Sequence, residues 1–415
     1  MRACWPRRAG AARLATGAAG AALMVCALAP VLTGRPRPLD PLDLVVYRTA
    51  GRSVLGGWAL YGPSFLVHSG GHLPFTYPPF AALVMSPLAL VPLGADYALW
   101  SAVCVVTLWA LVRISFRELL LRAADRWRSL AAAALTAAAL LTVPVAEHLT
   151  LGQVGIPLTL MCVADVAATR TRWPRGLLVG LAAAVKLTPA LFVIYFLLTR
   201  QWRAAATAAA TTAGCWLLAA LALPADTRRY FLDRVGFDPA RAGAVTEVAN
   251  QSLWGTAHRW LGSGGQVPWL VASFLVAAFG LYRAWLAQRA ADPLAAAALV
   301  GLTTLLVSPV SWMHSGVWLV PALAVLVGDG QRRRRVAAAA AAWVLMLVVV
   351  PHPATSAATG IGGWVVTYVW HEALVYLYLA LLVLLPTRGG APRWRITYPS
   401  TVAAVTNPSR STVAS

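Results

Sequence analysis

An all-α membrane protein that crosses the bilayer about ten to twelve times is the fold the sequence predicts, on three observations. Hydrophobic residues make up 59% of the chain and charged residues only 12%, where a soluble domain carries roughly a quarter. Mean hydropathy is +0.68, more apolar surface than a soluble globule can hide. The apolar residues fall in runs close to the ~20 that a helix needs to cross a bilayer, and arginine clusters separate those runs.

In chain order, Arg7, Arg8 and Arg13 precede an apolar run from Leu14 to Leu32. That run has the length of a span and exceeds a signal-peptide core, so it reads as a retained first helix with its N-terminus inside. The expected spans are 14–33, 95–113, 129–146, 155–169, 204–223, 268–288, 293–310, 312–327, 336–350 and 366–386. The apolar stretch from Pro79 to Val91 is short and bounded by proline, which suits a half-span or an interfacial helix. The stretch from Gly176 to Thr199 carries Lys186 and Pro189 in its middle and reads as one span or a hairpin of two.

The positive-inside rule assigns the basic segments 113–128, 170–175, 201–203, 283–289 and 332–335 to the cytoplasm. With Arg175 and Arg203 both inside, 176–199 becomes a hairpin. The outward segments are then 34–78, 147–154, 224–267, the turn near 311, and 351–365. The long segments 34–78 and 224–267 contain aromatic and regularly spaced apolar residues, so they are expected to form amphipathic helices on the membrane surface. Residues 1–386 read as one integral membrane domain of the plasma membrane, and 387–415 as a disordered cytoplasmic tail.

The formal net charge of +20 follows from 34 Lys and Arg against 14 Asp and Glu. The basic residues flank spans instead of forming a patch, which suits anionic lipid and gives no reason to expect nucleic acid. The five cysteines are scattered and show neither a disulfide framework nor zinc-ligand spacing. No P-loop, Gly-x-Ser-x-Gly or His-Glu-x-x-His pattern occurs. Carboxylates are too few and dispersed for an oxygen cage, so no metal and no cofactor is expected.

Polar residues at the outward side and within spans are the functional candidates, because burying them costs several kcal/mol. Asp43 follows the first run, with Tyr47 and Arg48 about one helical turn later. Its plainer reading is a helix N-cap. Lys186, just before Pro189, could snorkel to an interface or hold a lipid phosphate where the proline breaks the helix. Asn250 and Gln251 suit sugar hydroxyls or local turn capping. His314 suits a phosphate or hydroxyl contact, or an interfacial position beside Trp312. Gln153 is a weaker case of the same kind.

Six segments occur in one order: Asp43-Leu44-x-Val46-Tyr47, Leu73-Pro74-Phe75-Thr76-Tyr77-Pro78-Pro79, Gly152-Gln153, Val185-Lys186-Leu187-Thr188-Pro189, Asn250-Gln251-Ser252-Leu253, and Ser308-Pro309-x-Ser311-Trp312-x-His314. Together they resemble glycosyltransferase family 87 of the GT-C superfamily, the actinobacterial polyprenyl-phosphate-mannose-dependent α-(1→2)-mannosyltransferases, over residues 40 to 320. One departure stands out. Many relatives carry a second histidine after the first, whereas Ser315 follows His314 here.

The resemblance implies a polyprenyl-phosphate-mannose donor, a mannosylated glycolipid or lipoglycan acceptor of the cell envelope, and inverting transfer at the outer membrane face. It implies catalytic roles for Asp43, as general base, and His314. Lys186 and Arg259 would hold the donor phosphate, and Tyr47, Tyr77, Gln153, Asn250 and Gln251 the sugars. Arabinofuranosyl transfer from decaprenyl-phosphate arabinose by the same fold stays open as an alternative, and so does a lipid-linked saccharide transporter. A transporter would show inverted repeats and short external loops, neither of which is evident.

Overall fold

A computed structural model describes residues 41–387, apart from 63–64, 67–71, 93, 169–170, 239–240, 242 and 350–364. The expected first span at 14–33 and almost all of the 351–365 segment and of the tail lie outside the described residues. The all-α expectation holds for what is described. The exception is a two-residue antiparallel pair, β1 (Phe65–Leu66) with β2 (His72–Leu73), in the first long segment.

That segment opens with the amphipathic helix α1 (Leu42–Gly56). The Pro79–Val91 stretch forms α2 (Pro79–Met85) and a 3-10 turn over Ser86–Leu90, and both pack against α1. Neither is long enough to cross a bilayer, which fits both a half-span and an interfacial helix.

Helix α3 (Ala95–Ser115) has full span length and composition, and the short α4 (Arg117–Leu120) follows it. Helix α5 (Arg128–Leu140) stops at Leu141, and α6 (Val143–Leu151) departs at an angle of 79°. Thr142 is extended and Pro144 lies in the first turn of α6, which together terminate α5 and start a new direction. The expected span 129–146 therefore bends before its end, and most of the expected loop 147–154 is helix.

Next come α7 (Gly155–Ala167), α8 (Leu177–Val185) and α9 (Leu191–Leu198). Helices α8 and α9 form the expected hairpin. Lys186 ends α8 in an extended conformation, and a 3-10 turn over Thr188–Ala190 reverses the chain. The Arg175 guanidinium donates to Gln201 at 3.3 Å, so the two ends of the hairpin meet. Each arm, at ~1.5 Å per residue, covers only about half of a ~30 Å hydrocarbon layer. Lys186 sits at the tip of the hairpin, where the two arms meet.

Helix α10 (Trp202–Ala222) is a full-length apolar helix. The second long segment carries α11 (Pro224–Phe231) and α12 (Leu253–Leu261), so helices form there as expected. The main-chain amide of Leu60 donates to the Asp226 carboxylate at 2.9 Å and ties the two long segments together.

Helix α13 (Gln266–Arg289) runs on from α12 as the third long apolar stretch. Helix α14 (Pro293–Val307) is buried on every side from Leu294 to Leu306, the signature of a central helix. A 3-10 segment (Met313–Trp318), α15 (Leu319–Val327), α16 (Arg333–Val348) and α17 (Ala373–Leu384) complete the bundle. Leu221 of α10 and Phe274 of α13 are 77% and 73% exposed, as lipid-facing side chains are.

Full-length uninterrupted helices are fewer than the expected spans: among the described residues three qualify, or four if the bent α5–α6 pair is counted. Breaks near Pro144, Pro189 and Pro309 divide the other runs, since proline cannot donate to the helical ladder. The chain remains a multi-pass membrane protein. Its basic segments gather at one end, where Arg122 pairs with Asp329 at 3.6 Å and the Tyr195 hydroxyl donates to Gln288 at 2.8 Å.

Candidate active site

The opposite end of the bundle collects most of the polar residues that the sequence singles out. Asp43 is the second residue of α1, and the N-cap position belongs to Pro41, which makes no side-chain cap. Capping therefore does not account for Asp43. Its carboxylate instead accepts a hydrogen bond from the Gln153 side chain. Burial pushes the carboxyl up to about 6, against the lowering effects of that hydrogen bond and of the Lys186 charge.

Gln153 links several of these groups. Its Oε1 accepts from the Tyr47 hydroxyl at 3.0 Å and from the Tyr77 hydroxyl at 3.2 Å. That leaves its amide nitrogen to donate toward Asp43. The Lys186 ammonium donates to the Tyr77 hydroxyl at 3.4 Å and stands 5.3 Å from the centre of its ring. Carboxylate, amide, two phenols and ammonium thus form one continuous polar chain.

Local backbone chemistry builds this chain. Gly152 ends α6 with φ of 73°, and a Cβ there would lie 2.6 Å from the Leu44 Cβ. Only glycine allows α6 to meet α1 so closely, and this contact sets Gln153 beside Asp43. The Trp100 indole donates to the Gln153 carbonyl at 3.1 Å and fixes the residue from the other side. The Tyr61 hydroxyl donates to the Tyr77 carbonyl at 2.6 Å and holds the proline-aromatic segment. Asp165 positions the hairpin by accepting from the amides of Gly176 at 2.9 Å and Val179 at 3.0 Å at the start of α8.

His314 joins the site through a shared cavity. Lys186, Thr188 and Pro189 of the hairpin tip line it with Ser311, His314 and Ser315. His148 is fully buried nearby: its Nε2 accepts from the Ile156 amide at 2.9 Å, and among the described residues its Nδ1 has no partner.

Asn250, Gln251 and Arg259 spend their polar atoms elsewhere. The Asn250 amide donates to the carbonyls of Val245 at 2.9 Å and Pro309 at 3.1 Å, and its oxygen accepts from the Ser311 amide at 2.9 Å. Gln251 donates to the carbonyls of Val248 and His371, both at 2.6 Å, and accepts from the Leu374 amide at 3.2 Å. Arg259 pairs with Glu372 through Nε at 2.7 Å and Nη2 at 2.5 Å. These residues clamp the second long segment to the 309–311 turn and to α17, a different arrangement from the sugar and phosphate contacts expected of them.

Glu372 is a participant that sequence reading passed over. It is a fully buried acid at the edge of an apolar run, and such a group demands a cation. Asp96, fully buried and paired with Arg48 at 2.7 Å, is a second case.

Comparison with known proteins returns one family and close relatives. The profile of glycosyltransferase family 87 matches residues 75–309. A polyprenol-phosphate-mannose-dependent alpha-(1-2)-phosphatidylinositol mannoside mannosyltransferase of Mycobacterium tuberculosis is 33% identical over 303 residues, covering 69% of this chain and 70% of that protein. The protein of the same description in Mycolicibacterium smegmatis is 36% identical over 308 residues, with 68% and 69% covered. A phosphatidylinositol pentamannoside mannosyltransferase of the same donor dependence from Mycolicibacterium smegmatis is 37% identical over 295 residues, covering 70% of each chain. No solved structure matches.

Proposed function

Since the chain belongs to glycosyltransferase family 87 and is a membrane mannosyltransferase, we propose that it moves mannose from a polyprenyl-phosphate-mannose donor to a mannose 2-hydroxyl of a phosphatidylinositol-mannoside-like glycolipid, at the extracytoplasmic face. The donor and acceptor follow those named for its relatives. The observation that carries the reading is the polar chain from Asp43 through Gln153 and Tyr77 to Lys186, which sets a base and a cation in one site.

In this reading Asp43 takes the proton of the attacking hydroxyl as its oxygen bonds to the anomeric carbon. The bond from that carbon to the phosphate oxygen breaks on the opposite face, inverting the centre. The leaving lipid phosphate gains negative charge, which Lys186 offsets at the hairpin tip, where non-helical backbone lines a cavity. His314, across that cavity, orients the phosphate. Tyr47, Tyr77 and Gln153 position the sugars and the base, while Asn250, Gln251 and Arg259 hold the loop around them. The location of the arginine clusters at the far end of the bundle supports an outward-facing site.

Radiolabelled donor and phosphatidylinositol mannoside acceptors test the proposal with purified protein. Asp43→Asn should lower turnover by about 10² to 10⁴-fold, the range of general-base assistance. Lys186→Ala should lose donor use. Wild-type turnover in Asp43→Asn would exclude Asp43 as the base. Digestion of the product with a linkage-specific mannosidase tests the bond formed.

A further inference from the structure

A second cavity lies at the arginine-rich end, remote from Asp43. Its volume is about 450 Å³, within the range of small-molecule and cofactor sites. Trp109 and Arg113 come from the last turns of α3, Arg117 from α4, and Arg128 from the start of α5. Trp173, ahead of α8, and the small side chains Ala164 and Ala168 at the end of α7 close the other wall. Arg113 lies thirteen positions along α3 from Trp100, which touches Gln153. At ~1.5 Å per residue that is about 20 Å, toward the opposite face of the bilayer.

The charge of this cavity is largely uncompensated. Arg113 lies over the Trp109 ring at 4.6 Å, and among the described residues neither Arg113 nor Arg117 pairs with a carboxylate. Arg128 pairs through Nη1 with Asp125 at 2.6 Å and donates through Nη2 to the Leu121 carbonyl at 3.3 Å, while its buried Nε has no partner. Among the described residues no carboxylate lines the cavity. Glu118, the acidic neighbour of Arg117, lines a different cavity with Asp292 and Gly328.

We propose that this cavity is a binding site for a lipid phosphate, distinct from the transfer site and on the opposite side of the membrane. Guanidinium groups match phosphate oxygens through paired donors. Indole rings favour the headgroup level of a bilayer, and Ile114, Leu120 and the two alanines offer an apolar path for the chain. The recognised chemistry is a phosphate carried on a hydrocarbon anchor, whether diacylglycerol or polyprenol.

Native mass spectrometry of the full chain in detergent tests this, with dioleoyl phosphatidic acid and a polyprenyl phosphate as probes, dioleoylglycerol as the lipid without phosphate, and inorganic phosphate as the anion without lipid. Wild-type protein should retain at least one of the two phospholipids and not dioleoylglycerol. Relative retention of the two in a Lys186→Ala background, which removes the phosphate contact of the transfer site, identifies the anchor. Arg113→Gln with Arg117→Gln should weaken retention by about tenfold or more, since hydrogen bonds from guanidinium to phosphate are charge-assisted and among the stronger ones. Ala164→Phe, which fills the apolar wall without touching charge, should weaken it as well. Arg332→Gln with Arg333→Gln removes equal charge at the same end and should leave it unchanged. Undiminished retention in both cavity variants overturns the proposal. So does an equal loss in the Arg332/Arg333 variant, equal retention of dioleoylglycerol, or displacement of the lipid by equimolar inorganic phosphate.

Discussion

Burial pushes the Asp43 carboxyl up to about 6, where a base is largely free at neutral pH and still a useful proton acceptor. The rate of transfer should therefore rise as pH passes through about 6 and level off above it. Gln153 and Lys186 both lower the Asp43 value, so Gln153→Leu should move the rising limb to higher pH. Profiles of kcat/KM against pH for the two proteins check this; a limb that stays in place would separate Gln153 from Asp43. Stability has the opposite sign. The folded state favours the protonated carboxyl, so the cost of ionising it accumulates from the ordinary value of 3.8 up to about 6 and persists above. Asp43→Asn should thus raise stability at pH 8 by on the order of 1–3 kcal/mol and have little effect at pH 4. Thermal unfolding of both proteins at the two pH values reads the difference. A residue whose removal stabilises the fold while abolishing turnover is held for chemistry.

Among the elements, the hairpin of α8 and α9 was legible in the sequence because its cause is local. Two arginine clusters flank it, and a proline sits beside a lysine in the middle of an apolar run. Gly152-Gln153 and the proline-aromatic segment were legible as candidates for the same reason. The partners of Asn250 and Gln251 were not, since adjacent amides look alike whether they face a sugar or the carbonyls of a chain some sixty residues away. The bend between α5 and α6 was missed because hydropathy records burial and not direction. Arg259 shows the consequence: from sequence it resembles a phosphate ligand, while in the fold it fastens α12 to the residue ahead of α17. Thr256 donates to the same Glu372 carboxylate at 2.6 Å. Arg259→Met should destabilise the protein by about 3–5 kcal/mol, because it strands a buried carboxylate. Arg259→Met with Glu372→Leu should recover most of that stability and of the mannosyl transfer. Thermal midpoints and turnover of the single and double variants form the check. A double variant that regains stability yet stays inactive would return Arg259 to the donor phosphate.

At the level of the whole molecule, the two ends of the bundle differ in kind. One holds Arg113, Arg117, Arg126 and Arg128 and the basic turn before α16; the other holds the carboxylate, amide and phenol network around Asp43. Arginines beside spans resist transfer across the membrane, so the first end should face the cytoplasm and the second the exterior. That orientation decides the chemistry available to the enzyme. A site facing outward meets no soluble nucleotide sugar and depends on a donor carried through the bilayer on lipid, which is the role a polyprenyl phosphate fills. Trp58, 66% exposed just after α1, and Arg126, exposed between α4 and α5, mark the two ends. In a background with the native cysteines replaced, Trp58→Cys should react with a membrane-impermeant maleimide in intact cells. Arg126→Cys should react only after permeabilisation. The reverse pattern would turn the site to the cytoplasm and remove the physical reason for a lipid-linked donor, whereas the expected one makes the ~20 Å between the lipid-phosphate cavity and Gln153 a distance across the membrane.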